Sequence, residues 1–420
     1  MTAATADTAD IPIRTPADVH RARILGFVYL ALAFVVLWVF GRGTEGDAVL
    51  RLGSVPGELD LTVPAQGMAY LTAAVFAFLG GVQLMRGLGK WTNVVLALAM
   101  GLFAFTFLSW AAAGKSFSLV GMLTTTVAAA TPIAFGALSG VMCERVAVIN
   151  IGIEGMLLTG AFMAAFVGSL YGQAVGIAAA VGSGGVLALA LAVLAIRYRV
   201  DQIIAGVVIN IFALGLTSFL SAQVLVEDSA RFNSPGVLRA IALPGLSDIP
   251  VIGPIFFNHN IFVYGMFIIV ASMTYGLFHT RWGLRSRAVG EHPKAADTVG
   301  INVYRLRYLN VTLGGMIAGL GGAYFTIGSV GAFNENMTAG RGFIGLAAMI
   351  FGRWHPVGAL GAALVVGFAD ALQVKLAILD TGIPSEFLLM APYLVTIVVV
   401  AGLVGKARPP AADGQPYIKE

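Results

Sequence analysis

The chain has little charge and almost no cysteine. Asp, Glu, Lys and Arg make up 11% of its 420 residues and apolar residues 58%, whereas soluble domains are about 25% charged. This shortage of charge excludes an ordinary soluble domain and predicts an all-α, polytopic membrane protein. The single cysteine, Cys143, excludes an internal disulfide and is expected to be a small buried residue. The net charge of +4 orients the chain in the membrane and does not indicate a nucleic-acid partner.

Long apolar runs predict about ten to twelve transmembrane or half-transmembrane helices, since a spanning helix needs about 17 to 25 residues. Runs of that length lie at residues 24–40, 66–85, 91–113, 119–142, 147–170, 174–196, 202–222, 261–279, 309–330 and 387–404. No cleavage site follows the first run, so we expect an anchor and not a signal peptide. The pairs Gly172 and Gly176, and Gly315 and Gly319, have the spacing of close helix packing.

A further apolar region, 342–374, is too long for one helix. The sequence Arg-Trp-His-Pro at 353–356 interrupts it. We therefore predict a half-length helix and a returning helix, which transporters tolerate where such a piece lines a cavity or packs inside protein. Residues 174–182 and 356–367 show weak internal sequence similarity. It is explained either by an inverted repeat or by chance similarity of Gly/Ala/Val-rich helices.

The distribution of basic residues predicts that both termini are cytoplasmic. Lys and Arg concentrate in cytoplasmic segments. With an inside N-terminus and alternate crossings, 18 of the 25 Lys and Arg residues fall inside, provided that Arg353 reaches the cytoplasmic side. The longest outside loop is then 223–260.

A basic polar loop at 281–322 separates two apolar runs. It holds six Lys or Arg residues, which predicts a cytoplasmic location. Pro293 at a helix start and Gly300 just past its end predict a short exposed helix. Small apolar residues at three- and four-residue spacing predict a face that needs a partner. This face consists of Ala295, Ala296 and Val299. The loop is either a docking element or a solvated segment that only fixes topology.

Polar side chains inside apolar runs are candidates for a substrate pathway, because they are costly in a membrane unless paired or facing water. Asn150 and Glu154 are four residues apart and hence on one helical face. Asp370 and Gln373 are three apart, and Asn210 lies near the middle of a run. Each either lines the pathway or bonds between helices. For Glu154 the second alternative is capping a broken helix, through an arginine or a freed amide.

Four polar residues flank the expected outer mouth, with Phe333 and Phe343 nearby. They are Asn334, Glu335, Asn336 and Arg341. Amides and aromatic rings suit a ribose and a base. The same residues also suit the docking rim of an extracytoplasmic binding protein, or a plain outer loop.

Four segments carry a family resemblance. They are CERVAVINIGIEGM at 143–156, DQIIAGVVIN at 201–210, AVGEHPKAADTVGINVYRLRY at 288–308 and ENMTAGRGFI at 335–344. In this order they resemble the permease subunits of ABC importers for nucleosides, within the wider group for simple sugars and branched-chain amino acids. The resemblance covers a permease core at 119–410, followed by a cytoplasmic tail at 411–420. Residues 1–118, with three apolar runs, match less well and are expected to be an N-terminal extension.

The resemblance implies several partners: an ATPase subunit that carries ATP, a second permease subunit that is a homologue, an extracytoplasmic substrate-binding lipoprotein, and the lipid of a bacterial inner membrane. The family's coupling helix sits in a cleft of the ATPase and transmits its movement. It maps onto 290–300. The residues implied in coupling are Gly290, Glu291, His292, Pro293, Lys294, Ala295, Ala296 and Gly300.

Enzyme signatures fail. The segment 109–116 lacks the first glycine of a P-loop, and no H-E-x-x-H, Cys/His cluster or G-x-S-x-G occurs. We therefore expect a transport subunit with no catalytic residues, metal or bound cofactor. Two alternatives remain: the same architecture for a simple sugar such as ribose, and an ion-coupled secondary transporter using Glu154 and Asp370 as proton carriers. The second alternative would not need the short helix at 293–300.

Overall fold

The computed structural model describes residues 16–379, apart from 43, 45 and 54–58, together with residues 384, 387, 390 and 408–419. The chain forms two compact units. The first comprises residues 1–119 and 379–381, and the second comprises residues 120–378 and 382–420. Among the described residues, ten helices are long and apolar enough to cross a membrane. The predicted all-α membrane class is confirmed.

Three long helices and a small sheet make up the first unit. The helices are α1 (Pro16–Val35, continued by a π-helical turn, Val36–Phe40), α2 (Ala65–Met85) and α3 (Thr92–Ala111). The strands are β1 (Asp47–Arg51), β2 (Asp60–Pro64) and β3 (Ser116–Ser118). β1 pairs antiparallel with β2 and parallel with β3.

Aromatic side chains form the core of this unit. The Phe40 ring lies 5.0 Å from that of Trp110, between α1 and α3. The Phe76 ring of α2 is stacked on Phe103 of α3 at 6.5 Å. Such rings bury large apolar areas, so α1, α2 and α3 are held together by a core of their own.

The second unit contains the remaining elements. Its long helices are α4 (Leu119–Glu144), α5 (Ile153–Tyr171), α6 (Gln173–Ala192), α7 (Gln202–Leu220), α10 (Ile261–His279), α13 (Val303–Phe325) and α15 (Pro356–Leu379). Its shorter helices are α8 (Ser229–Phe232), α9 (Ile252–Phe256), α11 (Arg281–Glu291), α12 (Pro293–Thr298) and α14 (Arg341–Phe351). Strands β4 (Ile241–Ala242) and β5 (Asn258–His259) pair in the long loop before α10.

Helix α4 lies at the centre of the second unit, since 89% of its apolar stretch is buried. Around it, α5, α6 and α13 pack closely on one another. A Cβ atom on Gly160 of α5 would lie 2.6 Å from the carbonyl oxygen of Gly319 on α13, and one on Gly176 would lie 2.7 Å from that of Ala164. The close packing predicted at Gly176, Gly315 and Gly319 is confirmed. That predicted at Gly172 is wrong, because a Cβ atom there would meet nothing within 4 Å.

Most predicted runs agree with the helices. The runs at 24–40 and 309–330 begin too late, because α1 starts at Pro16 and α13 starts at Val303. The run at 147–170 begins too early, because residues 145–152 are irregular and α5 starts at Ile153. Ala147 has a positive φ of 60°, which a helix does not accommodate. The run at 387–404 lies almost wholly outside the described residues.

The interruption at 353–356 behaves as predicted. α14 has 11 residues, half the length of a spanning helix, and α15 returns from Pro356. Arg353 and Trp354 both have a φ of 54°, which produces the reversal between the two helices.

Candidate functional site

Asn210 on α7 stabilises the irregular segment at 145–152. Its Oδ1 accepts a hydrogen bond from the Gly155 amide at 2.8 Å, and its Nδ2 donates to the Ile151 carbonyl at 2.9 Å. Backbone groups freed by a helix break need partners when buried. Both ends of the Asn210 amide are therefore engaged within the protein.

Glu154 accepts three hydrogen bonds at the start of the half-length helix α14. Its Oε1 accepts from the Thr338 hydroxyl at 2.6 Å and from the Gly340 amide at 2.8 Å. Its Oε2 accepts from the Gly342 amide at 2.6 Å. A carboxylate at a helix N-terminus satisfies free amides and complements the helix dipole. Glu154 thus caps α14, and the freed amides are those of another helix.

Asn150, in the irregular segment between α4 and α5, is fully buried. Its Nδ2 lies 3.5 Å from the Cys143 sulfur and 3.6 Å from the Met156 sulfur. These neighbours place Asn150 inside a packed cluster. Cys143 is buried and free, as expected.

Asp370 and Gln373 on α15 keep part of their surface exposed. Asp370 pairs with Arg341, the first residue of α14, at 3.9 Å. The Arg341 guanidinium also lies over the Phe325 ring at 5.8 Å. The structure therefore brings Asp370 and Arg341 together beside the half-length helix, close to the cap that Glu154 provides.

The segment before α14 carries Asn334, Glu335 and Asn336, all exposed. Phe333 is different, because it is buried and its ring meets that of Phe162 at 5.3 Å. Of the two aromatic residues named near the outer mouth, Phe333 is therefore part of the core.

Helix α12 forms where the sequence predicts the short helix. Pro293 begins it, and Gly300, with a φ of 82°, lies just past its end. His292 and Lys294 are exposed, and Gly290 at the end of α11 is buried. The predicted helix is confirmed.

The predicted apolar face of α12 needs a correction. Ala296 is only 3% exposed and belongs to a buried cluster with Val289, Val303 and Tyr417. Ala295 is exposed, and Val299 is 74% exposed. Ala296 therefore faces the protein and cannot belong to a docking surface, whereas Ala295 and Val299 remain available.

Residues 408–419, here called the tail, pack beside α11 and α12, a contact that the sequence did not reveal. The Ala412 amide donates to the Gly290 carbonyl at 3.0 Å, and the Ala411 amide donates to Glu291 at 3.2 Å. Tyr417 is buried. These contacts place the tail against the implied coupling residues.

A buried polar cluster lies beneath the tail. The Asp413 carboxyl is hydrogen-bonded to that of Glu144 at the end of α4, and the Trp354 indole also donates to Glu144. Burial raises the pKa of Asp413 to about 6, although Glu144, the Gly414 amide and Arg307 act in the opposite direction. Two carboxyl groups in contact favour keeping one proton between them.

A groove of about 410 Å³ separates α12 from the tail. It is lined on one side by residues 291–295 and on the other by residues 411–412 and 415–418. Within the described part of the chain, no group of three His, Cys, Asp or Glu side chains is arranged to hold a metal ion.

Broken helices whose freed backbone groups are satisfied inside the protein are typical of transporters, and the chain is a multi-pass α-helical membrane protein of this class. It belongs to the family described as branched-chain amino acid transport system/permease component, which matches residues 122–402.

Relatives agree with this assignment. The guanosine ABC transporter permease protein NupQ of Bacillus subtilis is 42% identical over 71% of this chain and 96% of its own length. The nucleoside ABC transporter permease protein NupC of Lactococcus lactis is 40% identical over 69% of this chain and 94% of its own. A putative glucose ABC transporter permease protein, TsgC13 of Haloferax volcanii, is 34% identical over 61% and 77%. The resemblance seen in the four motifs is confirmed. No solved structure matches the chain.

Proposed function

We propose that this chain is the membrane-spanning permease subunit of a nucleoside importer driven by ATP hydrolysis on a separate subunit. The observation that carries the proposal is the identity of 42% and 40% with a guanosine and a nucleoside permease over 71% and 69% of the chain. The glucose relative is less similar, at 34%. A nucleoside is therefore the preferred cargo.

The proposal includes the partners that an importer of this kind needs. They are an ATPase subunit, a second homologous permease subunit and an extracytoplasmic substrate-binding lipoprotein, in a bacterial inner membrane with both termini cytoplasmic. The exposed part of α12 supports the first of these, because Ala295 and Val299 offer apolar surface to a partner. The coupling surface then consists of the exposed residues around α12, without Ala296.

The substrate pathway is best placed beside α14 and α15. Asp370, Gln373 and Arg341 keep exposed surface there. In contrast, Asn150 is fully buried, and Glu154 and Asn210 are engaged in hydrogen bonds within the protein. Asn334, Glu335 and Asn336 are exposed beside the cap and fit the outer entrance. In this proposal a nucleoside first meets Asn334, Glu335 and Asn336 at the entrance. It then reaches Asp370, Gln373 and Arg341 deeper in the membrane.

Replacing Ala295 by Trp tests the coupling surface. The larger side chain at an exposed docking position should weaken binding of the ATPase subunit at least about tenfold, because well-packed interfaces tolerate extra volume poorly. Co-purification of the ATPase and uptake of radiolabelled guanosine and ribose are measured in the same cells. Cells without the permease provide the baseline.

The control is Arg239→Lys, in the long loop before α10 and distant in sequence from α12, which should leave every readout unchanged. Wild-type ATPase binding and uptake in Ala295→Trp would show that the loop only fixes topology. Uptake of ribose in preference to guanosine would show that the substrate is a simple sugar. It would leave the rest of the proposed importer unchanged.

A further inference from the structure

Helix α12 is too short to be stable alone. It has six residues, and isolated helices shorter than about 12–15 residues are marginal in water. Its position must therefore come from contacts with its neighbours. The tail provides several of these contacts.

Two side chains of the tail contact α12 or its surroundings directly. Lys419 pairs with Asp297 of α12 at 3.5 Å. The Tyr417 ring lies 5.3 Å from that of Tyr304 on α13, in the same buried cluster as Ala296. The inward side of α12 is therefore covered jointly by the tail and by α13.

The tail is also anchored to the long helices. Asp413 is hydrogen-bonded to Glu144 at the end of α4. The guanidinium of Arg307, itself only 1% exposed, donates to the Gln415 carbonyl at 3.2 Å. A force applied to the tail thus reaches α4 and α13 without passing through α12.

Two neighbouring apolar residues of the tail are accessible beside the groove. Ile418 is 50% exposed, and Pro416 beside it is exposed. Pro293 and Ala295 lie across the groove. Apolar residues from two separate segments therefore line one continuous depression.

We propose that the tail is the second wall of the docking site for the ATPase subunit, and that the groove receives an apolar ridge of that subunit. This inference rests on the proposed function, because it assigns the occupant through the coupling role of α12. The ATPase then holds α12 and the tail together and moves α4 and α13 through both.

The surroundings of the groove favour a protein surface over lipid. Its rim carries Glu291 and Lys294 and adjoins the Lys419–Asp297 pair, and charged rims around an apolar centre are typical of protein interfaces. The groove also continues directly into the exposed part of α12 at Ala295. One partner that covers Ala295 will therefore cover Ile418 as well.

Replacing Ile418 by Asp tests this wall without touching a buried residue. A carboxylate in the apolar groove should weaken ATPase binding at least about tenfold, since it must be desolvated when the ridge enters. The matched control is Ile241→Asp, at a position of similar exposure, 48%, in β4 of the long loop before α10. It should leave binding unchanged. ATPase co-purification is compared among wild type, both variants and Ala295→Trp.

The outcomes separate the two proposals. Loss of binding in both Ala295→Trp and Ile418→Asp supports both. Loss in Ala295→Trp alone overturns the second wall and leaves the coupling role intact, whereas wild-type binding in both variants overturns both. If Ile418→Asp weakens association of the two permease subunits instead, the occupant is the second permease and the inference is wrong.

If the Ile418→Asp protein does not accumulate in cells, a second measurement tests the same inference. A photoreactive amino acid at position 418 of the assembled importer should crosslink to the ATPase. Crosslinking only to lipid or to the second permease would overturn the inference equally well.

Discussion

At the scale of single residues, Glu154 is the side chain whose replacement is most informative. Its carboxylate accepts three hydrogen bonds, from Thr338, Gly340 and Gly342. Glu154→Gln keeps one acceptor oxygen, but its amide NH2 group then faces a donor that the second carboxylate oxygen had accepted. We therefore expect the free energy of unfolding to fall by about 1–3 kcal/mol, with transport retained. Glu154→Leu leaves all three donors unsatisfied and should cost at least twice as much.

These losses are measured as thermal stability of the purified complex, alongside nucleoside uptake. Thr338→Val removes one donor and is the matched control, with an expected loss of about 1 kcal/mol. A Glu154→Gln protein of normal stability and abundance that transports nothing would instead identify Glu154 as a proton carrier and contradict an ATP-driven mechanism.

The need of Glu154 for a partner could be predicted from the sequence, but the partner could not. An ionisable residue in an apolar run signals a bond to something. Two of its three donors are backbone amides, which every residue except proline carries, and they lie 186 and 188 positions further along the chain. No residue type near Glu154 points to them.

At the scale of elements, attachment of the tail should depend on pH. Burial raises the pKa of Asp413 to about 6, above the value near 4 of an exposed Asp. The attached tail then binds more protons than the released tail between about pH 4 and pH 6, so attachment weakens as pH rises through this window. Glu144 of α4 and Arg307 of α13 are the titratable groups that face Asp413.

A spin label at Ala411→Cys reports this attachment, because the native Cys143 is buried. Label mobility should increase between pH 4.5 and pH 6.5, and Asp413→Asn should flatten the profile. An identical slope in the variant would assign the transition to another group.

Element boundaries followed from the sequence where proline, glycine and charge mark them. Pro356 and Arg353 separated α14 from α15, and Pro293 and Gly300 bounded α12. Which side of α12 is covered could not be predicted. That depends on the tail, whose residues 409–416 include three prolines and a glycine and show no helical periodicity.

At the scale of the whole molecule, the first unit should be dispensable for transport. Residues 120–378 have their own buried core, and the family match begins at residue 122. We expect a protein lacking residues 1–85 to insert and to keep nucleoside uptake, because two helices are removed and Arg86 and Lys90 still precede α3.

A protein lacking residues 1–118 extends this test. It loses three helices, but the six Lys and Arg residues of the loop at 281–322 should keep the remaining helices in their orientation, with the new N-terminus outside, so uptake should again be kept. Loss of all uptake in the 1–85 deletion, after insertion and assembly with its partners have been demonstrated, would show that the first unit takes part in transport.

The cap on α14 also has a consequence for the synthesis of the chain. Glu154 is made 184 residues before Thr338, the first of its donors, and a ribosome needs on the order of 9–37 s for that distance at about 5–20 residues per second. Throughout this interval Glu154 is without the three donors that it has in the folded protein. Insertion of α5 and formation of the Glu154 hydrogen bonds are therefore separate events in time. The insertion machinery must accept this helix while Glu154 still lacks these partners.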